Sequence, residues 1–548
     1  MVENVPFMGP GGISNEFVNA MLNSDKFGEA LSRRIGALTK ADTISQATNL
    51  VYYDLSPVVQ MLYPYLDLIP RIGKLPRVKG IGGTSYHWKR VVNINSTNQS
   101  PGISEGNRGA RIPIATQDMM AAYRTLGHEA SVTFEARDSE GPLTTSSLAI
   151  ATNSALRALR INEEKILING NAGFPLGVTP TPVLTAGAVA GYTGSFSNGN
   201  VYVVCVALSG MVLNNYTPYN AATGLNGIPG QLTKVNVDSS VDTYGGGSAQ
   251  PSAETFTTTS GTNVVTATVT PVLGAAAYAW FVGTATGAEY LAGLTPSNQV
   301  YLTKFPSITT AQPLTSLKVG GNYQDNSTNN IIPDGVLTQI YGAILGPDPG
   351  RNMATNPILP TGISISQGGS ILYVMPTQNT GLTLSGINLK EVDVVLQAAY
   401  DQYKIGFDRI LVSSIDMLSS FGAMLNTLGS GSPFRIEVDR GGDDKIVAGR
   451  TVTAYKNKFF GNTLQVEIHP YLPAGTMIFW SDRSPAEVSG VANIIEARVL
   501  QDYFQIQWPW HTRRHEIGCY VREVFPIYFT PAFAAITNIN PSSGNLVY

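Results

Sequence analysis

Charge is what this sequence has least of. Of its 548 residues, 13% are Asp, Glu, Lys or Arg, about half the ~25% usual in a soluble globular protein. A subunit that stays alone in water needs charge on its surface, so the shortage points to a surface largely covered by other protein. A β-rich surface made polar by Gly, Thr and Asn is the competing explanation. Cysteine is nearly missing: Cys205 and Cys519 stand far apart, with no CxxC spacing or Cys/His ligand set. That excludes a disulfide framework and a structural zinc site, and predicts two small buried side chains. Positive charge is not in excess either. The net charge is −3, whereas a protein that grips nucleic acid by its phosphates shows a basic domain. Sequence-specific reading of DNA or RNA is therefore not expected, while enclosing DNA stays open. The longest apolar run, 201–213, is too short to span a bilayer and predicts a buried strand. The first residues show no basic segment followed by an apolar stretch. The expectation is a protein folded in a cytoplasm, with no membrane association.

What is present comes in blocks. The length predicts three or more packed units, and 43% hydrophobic residues can fill them. Residues 1–60 read as an arm with two short, weakly amphipathic helices, one behind Ser14-Asn15-Glu16 and one over 27–38. The stretch 71–118 holds Arg71, Lys74, Arg77, Lys79, Lys89, Arg90, Arg108 and Arg111 against only Glu105 and Asp118. It is broken by glycines, with a strand-like Tyr86-His87-Trp88, and a turn is expected at 95–100. This predicts a long basic two-stranded hairpin, too poor in apolar residues to bury a face by itself. A strand is expected at 131–135, ended by Gly141-Pro142.

The strongest helical pattern is 143–168, where Leu148, Ala151, Ala155, Leu159, Asn162 and Ile166 recur at helical steps and Asn169-Gly170 stops it. Its length would be about 39 Å. From 178 to 330 there are eight charged residues and no Arg or His. Runs such as 200–204, 263–269 and 277–282 there are β-branched or aromatic, which predicts an inserted all-β sandwich of immunoglobulin or fibronectin type III character. The α/β pattern resumes over 331–434. Asn388 and Glu391 look like a capping box, followed by a helix to Gly406, a strand at 407–412 and a helix through Leu418, Phe421 and Leu425. Strands dominate 435–548, at 452–455, 463–469, 476–480, 504–508 and 519–527.

Catalytic chemistry finds no foothold. His511 and His515 are spaced as two ligands on one helical face, but the Glu of a zinc-protease motif is missing and Arg513 and Arg514 lie between them. Lys79-Gly80-Ile81-Gly82-Gly83-Thr84-Ser85 lacks the strand-to-helix setting of a phosphate loop. Asp439-Arg440-Gly441-Gly442-Asp443-Asp444 lacks calcium-loop spacing. No GxSxG elbow occurs. The sequons at Asn95, Asn98, Asn215 and Asn326 carry no meaning without a secretory signal. No catalytic residue, metal or cofactor is assigned.

The order of parts resembles the major capsid proteins of tailed bacteriophages, of the Hong Kong 97 type. The spine helix is carried by 143–171 with its Ile-Asn-Gly-Asn end and the extended loop by 71–118. An axial helix–strand–helix is carried by 388–421, and a strand re-entering the peripheral domain by Pro473-Ala474-Gly475-Thr476-Met477-Ile478-Phe479. The resemblance implies an α+β fold: an arm (1–60), an extended loop and peripheral domain (61–177), an immunoglobulin-like insertion (178–330), an axial domain (331–434) and a peripheral return (435–548).

It further implies hexamers and pentamers in an icosahedral shell around double-stranded DNA, in a virion assembled in the host cytoplasm. A separate scaffolding protein, a portal and a decoration protein are the implied partners. It places the extended loop over a neighbouring subunit, which makes Arg71, Lys74, Arg77, Lys79, His87, Lys89, Arg90, Arg108 and Arg111 candidates for contact between subunits. The loop could instead bind nucleic acid, with Tyr86 and Trp88 stacking on bases. The related encapsulin compartments, a secreted β-rich surface-layer or adhesion protein, and an enzyme with an accessory sandwich are the other readings.

Overall fold

The computed structural model describes residues 68–93, 102–109, 111, 115–139, 146–236, 239–260, 263–345, 362–365, 369–376, 381–385, 388–421, 440–441, 445–446, 452–482, 493–510 and 512–540. The helices expected in the first sixty residues, the turn at 95–100, Gly141-Pro142, Leu425 and most of 439–444 lie outside them. Residues 63–138 and 147–548 belong to one compact unit.

Strand β1 (Arg77–Lys79) leads to β2 (Ser85–Asn93), β3 (Ala115–Ala122), β4 (Arg124–Thr133), the short helix α1 (Phe134–Asp138) and the long helix α2 (Ser147–Asn169). Then come β5 (Val183–Gly187), β6 (Gly199–Leu208), α3 (Gly210–Asn215), β7 (Gln231–Val235), β8 (Val241–Gly245), β9 (Thr255–Thr259), β10 (Val264–Thr268), β11 (Ala277–Gly283), β12 (Glu289–Thr295) and β13 (Gln299–Leu302). The third stretch holds α4 (Val336–Leu345), β14 (Gly362–Ile365), β15 (Ile371–Val374), α5 (Lys390–Tyr403) and β16 (Arg409–Val412). The last holds β17 (Ala454–Lys456), β18 (Thr463–Ile468), β19 (Met477–Trp480), β20 (Ala497–Gln507), β21 (Arg514–Val524) and β22 (Phe533–Thr537). The protein is thus a mixed α+β molecule.

Helix α2 spans 23 residues, about 35 Å at 1.5 Å per residue. It packs on β4 and β21, two members of a sheet ordered β1-β20-β21-β4. Its buried residues are Ala155, Leu159, Glu163, Glu164 and the run Ile166–Asn169, so the C-terminal turns are enclosed on every side. Gly170 then ends it for a steric reason. A Cβ there would lie 2.4 Å from the Pro333 carbonyl oxygen and 2.7 Å from that of Ile166. Only glycine permits that approach, which lets Gly335 N–H and the Thr338 hydroxyl both donate to the Gly170 carbonyl, at 2.8 and 2.6 Å. The end of α2 is thereby stitched to the start of α4.

Strands β12-β11-β6-β9 form one sheet and β13-β10-β5 another. The apolar run 201–213, expected as one buried strand, is strand only to Leu208, where both faces of β6 are covered, and then turns into α3. Val201, Val203, Cys205 and Ala207 point into the main core with Val265, Ala267, Val300 and Leu302 of the second sheet. Val204, Val206 and Leu208 point the other way, onto Val212, Leu314 and Leu317. The Trp280 indole of β11 is fully buried and donates to the Thr295 hydroxyl at 2.8 Å.

The second lobe is a seven-stranded sheet, β14-β15-β22-β19-β16-β18-β17, also covered on both faces. Val392, Val395, Leu396 and Ala399 of α5 meet Ile410, Val412, Phe479 and Ile536 on one face, while Leu411, Ile478, Trp480 and Ala535 on the other join the main core. Full burial of each Val or Leu contributes roughly 1.5–3 kcal/mol, so this helix is held by its apolar stripe and not by a cap. The expected capping box is absent: Glu391 accepts from the Thr383 N–H and Asn388 bonds Asp393, while Leu389 stands at the N-cap without a side-chain bond. The helix also stops earlier than expected, at Lys404, which takes the left-handed conformation (φ 54°) and donates its N–H to the Ala399 and Tyr400 carbonyls. Gly406 serves a different purpose, since a Cβ there would come within 3.0 Å of the Phe460 ring. After β16 the expected helix is only a short turn at Ser414–Asp416 running into π-helical Met417–Phe421.

Candidate assembly surface

Strands β2 and β3 pair antiparallel as a two-stranded ribbon, and strand alternation gives it two unlike faces. Tyr86, Trp88, Met119 and Ala121 share the half-buried face, and His87, Lys89, Asp118 and Met120 the exposed one. The inner face is clamped to the body by aromatic rings. Tyr86 and Trp88 stack at 5.4 Å, Tyr528 meets both edge-on at 6.3 and 5.8 Å, and the Arg498 guanidinium lies 4.1 Å over the Tyr86 ring. The Tyr528 hydroxyl donates to Glu496 at 2.5 Å, and Arg498 also pairs with Glu496 at 3.5 Å. Behind the ribbon lies a cleft of about 420 Å³, whose lining includes Trp88, Met119, Phe174, Asp334 and Gln339. Tyr86 and Trp88 are thus committed to the body, which removes them as the base-stacking pair of the nucleic-acid reading.

The base of the basic segment is turned inward. Arg77 on β1 reaches three acids and a phenol: Asp502 at 2.9 Å, Glu523 at 3.1 Å, Glu163 at 3.8 Å and the Tyr503 hydroxyl at 3.1 Å. Burial alone would lower its pKa, but the field of Glu523, Tyr503, Glu163 and Asp502 carries it above the ordinary value. Arg71 is 2% exposed and bonds Glu467, which also pairs with Arg409 at 2.5 Å. The Arg71 and Ile72 N–H groups both donate to Glu164, at 3.0 and 2.6 Å, and His469 Nε2 lies 2.7 Å from the same carboxylate. Arg71 and Arg77 therefore make their ion pairs within the subunit.

Of the others, Lys74, Lys79, His87, Lys89, Arg108 and Arg111 are exposed, while the Arg90 side chain lies outside the described residues. Lys89 stands 3.6 Å from Asp118, both largely exposed. An apolar group joins this exposed set: Ile81, at the turn between β1 and β2, is fully open to solvent. The structure does not bring these cations to one point. It spreads them along the outer side of β1, the ribbon and the stretch at its far end, which suits an extended acidic partner surface better than a small anion.

The His511–His515 spacing does not form a helical ligand face. His515 lies in strand β21, buried, with Nε2 2.9 Å from Arg137 Nη1 and its ring against Phe134 and Trp510; His511 lies outside the described residues. Among the described residues no group of three or more His, Cys, Asp or Glu could hold a metal ion. No described helix is long and apolar enough to cross a membrane. Cys205 and Cys519 are both buried and free.

The residues that sequence reasoning missed are the buried acids Glu163, Glu164 and Glu523. The one signal was available in α2: Glu163 stands four residues after Leu159, on the apolar stripe. The expected stripe had Asn162 there, and Asn162 instead bonds His128 at 2.5 Å.

No family model matches the sequence, and no curated protein matches it. Among solved structures, the capsid of a native GTA particle is similar over 91% of this chain and 99% of its own, with 8% identity and a TM-score of 0.40. The capsid of cyanophage A-1(L) is similar over 90% of this chain and 99% of its own, with 9% identity and a TM-score of 0.38. An encapsulin from Synechococcus elongatus is similar over 91% of this chain and 95% of its own, with 6% identity and a TM-score of 0.32.

Proposed function

We propose that this chain is a shell protein, the major capsid protein of a tailed phage with double-stranded DNA, in the Hong Kong 97 manner. In this reading α2 is the spine helix and β2–β3 the extended loop. The sheet β1-β20-β21-β4 belongs to the peripheral domain, the lobe around α5 is axial, and 178–330 is an immunoglobulin-like sandwich inserted between them. The observation that carries the reading is the two-faced ribbon. Two strands alone are marginally stable in water, and this pair keeps one face on its own body while presenting the other, with exposed cations at both ends, away from it. Such a face has no use within the subunit and fits an acidic neighbour, where charge pairs fix register and partner choice more than affinity. Many weak copies of that contact would sum to a stable assembly. Hexamers and pentamers around a genome, a scaffolding protein, a portal and a decoration protein belong to the same proposal, as does a place in the virion.

The test is electron microscopy of the full-length protein expressed with its neighbouring reading frames. Closed shells, tubes or capsomer rings are expected. A monomer that stays inert under those conditions would turn the reading toward an adhesion or surface-layer protein. Charge reversal at Lys74 and Lys79 together is expected to leave the subunit folded and abolish the particles. Normal particles from that variant would remove the basic surface from the assembly contact.

A further inference from the structure

Two carboxyl groups meet where β1, α2, β20 and β21 converge, and neither is solvated. Glu163 of α2 and Glu523 of β21 are each 0% exposed and both reach the Arg77 guanidinium, at 3.8 and 3.1 Å. One oxygen of each is already occupied: Tyr503 donates to Glu163 Oε2 at 2.5 Å and Arg77 Nη2 to Glu523 Oε2 at 3.1 Å. The remaining oxygen of each, Oε1 in both, is buried and has no donor. Two buried carboxylates on one guanidinium, each with a bare oxygen, are costly both as like charges and as unpaired acceptors. One proton between them removes both costs.

We propose that Glu163 and Glu523 form a buried acid–carboxylate pair sharing a single proton, a latch that fastens the long helix to the sheet and weakens as the pH rises past neutral. The latch is a property of the subunit and stands apart from the shell reading. With one proton the pair carries one negative charge. Arg77 from β1 contacts it directly, and Arg160, one turn earlier on α2, adds a second positive field. From β20, Tyr503 donates to the pair and Asp502 turns to Arg77 Nε at the surface. Arg124, opposite Glu523 in β4, acts on Asp334, whose carboxyl it helps to hold down against burial.

The direction of the pH effect follows. Burial is the largest influence on both acids and pushes both up, Glu163 to about 7, against the pull of Tyr503, Arg77 and Arg160. Glu523 rises well above its ordinary value through burial and the neighbouring Glu163, with Arg77 opposing. The folded protein thus keeps a proton that the unfolded chain releases in the usual carboxylate range. Stability is fully present at acid pH and is lost as the pH rises through the folded-state value. Because the two groups interact, the loss belongs to the pair.

The test is thermal unfolding of the full-length subunit from about pH 4 to pH 9, for the wild type, Glu163→Gln and Glu523→Gln. Glutamine keeps the shape and supplies the missing N–H at every pH. The wild-type midpoint is expected to fall with rising pH, and each variant to fall less steeply. The contribution of Asp416, another buried acid pushed up to about 7, persists in all three proteins and cancels in the comparison. A variant slope equal to that of the wild type would overturn the latch. If the variants do not fold, infrared spectra decide, taken in a Glu289→Gln background because burial pushes the Glu289 carboxyl up as well. A carboxylic-acid carbonyl band that shifts on ¹³C-glutamate labelling is expected at neutral pH and lost at alkaline pH. Its absence at neutral pH would overturn the proposal.

Discussion

Arg77 and Lys89 belong to the same basic stretch and look alike in the sequence, yet one is enclosed by three acids and the other faces water. The difference lies in what each strand is paired with. Strand β1 runs parallel to β20 at the edge of a four-stranded sheet, so its Arg77 is brought against the acids that β20, β21 and α2 place there. Among the described residues strand β2 pairs only with β3, so half of its side chains have no described body to face. A run of like charges therefore holds two different devices: an internal clamp at its root and an external surface along its ribbon.

The largest expected effect lies at the root. Arg77→Met leaves Glu163 and Glu523 without their cation, and removing one partner of a buried ion pair costs about 3–5 kcal/mol. The loss should be greatest at alkaline pH and shrink in acid, where the two acids take up protons and no longer need the guanidinium. Denaturant midpoints at several pH values measure it. A loss that did not depend on pH would mean that Arg77 acts through packing alone, and the contrast with Lys89 would then be one of burial and not of charge.

A smaller effect is expected where the ribbon meets the body. Trp88→Ala removes a half-buried ring stacked on Tyr86 and packed against Tyr528, which should cost about 2–3 kcal/mol, below the 3–5 of a fully buried aromatic. The ribbon is a separate two-stranded element, so the loss is expected to appear as local opening and not as global unfolding. Hydrogen exchange should rise in 85–93 and 115–122 while the amides of α2 stay protected. Equal loss of protection in α2 would show that ribbon and body are one cooperative unit.

How far the sequence could be read follows the same division between patterned and unpatterned positions. The helical stripe of α2, its stop at Gly170 and the buried strand from Val201 were legible because period and turn chemistry act within a few residues. The short strands β16 and β19 were legible too, through continuous apolar runs, and β18 through its polar–apolar alternation. What could not be read depends on long-range pairing. Glu163 sits on the stripe because Tyr503 and Arg77, far away in the chain, both meet its Oε2. Glu391 bonds Thr383 instead of closing a capping box, since α5 starts directly from a strand. The strands expected at 504–508 and 519–527 left His515 between them, and only the pairing of β21 with β4 draws it into a ladder. The direction of each cation in 71–118, inward or outward, also needed the sheet order to be known.

The smallest expected effect on stability is also the one that most sharpens the contrast. Lys89 is 82% exposed and its ion pair with Asp118 is equally open, and such surface pairs contribute at most about 1 kcal/mol and often nothing measurable. Lys89→Ala should accordingly unfold at the same denaturant concentration as the wild type, within error. Its assembly should nevertheless change if the outer face of the ribbon meets an acidic surface on a neighbour. The yield of particles would fall at low salt, and its dependence on salt would be shallower than that of the wild type, because salt screens exposed charge contacts and the variant has fewer of them to lose. Sedimentation of wild-type and variant protein over a salt series measures both terms. Unchanged stability with reduced assembly would make Lys89 the external counterpart of Arg77; unchanged stability with unchanged assembly would move the contact off this face, toward Ile81 and the root of the ribbon.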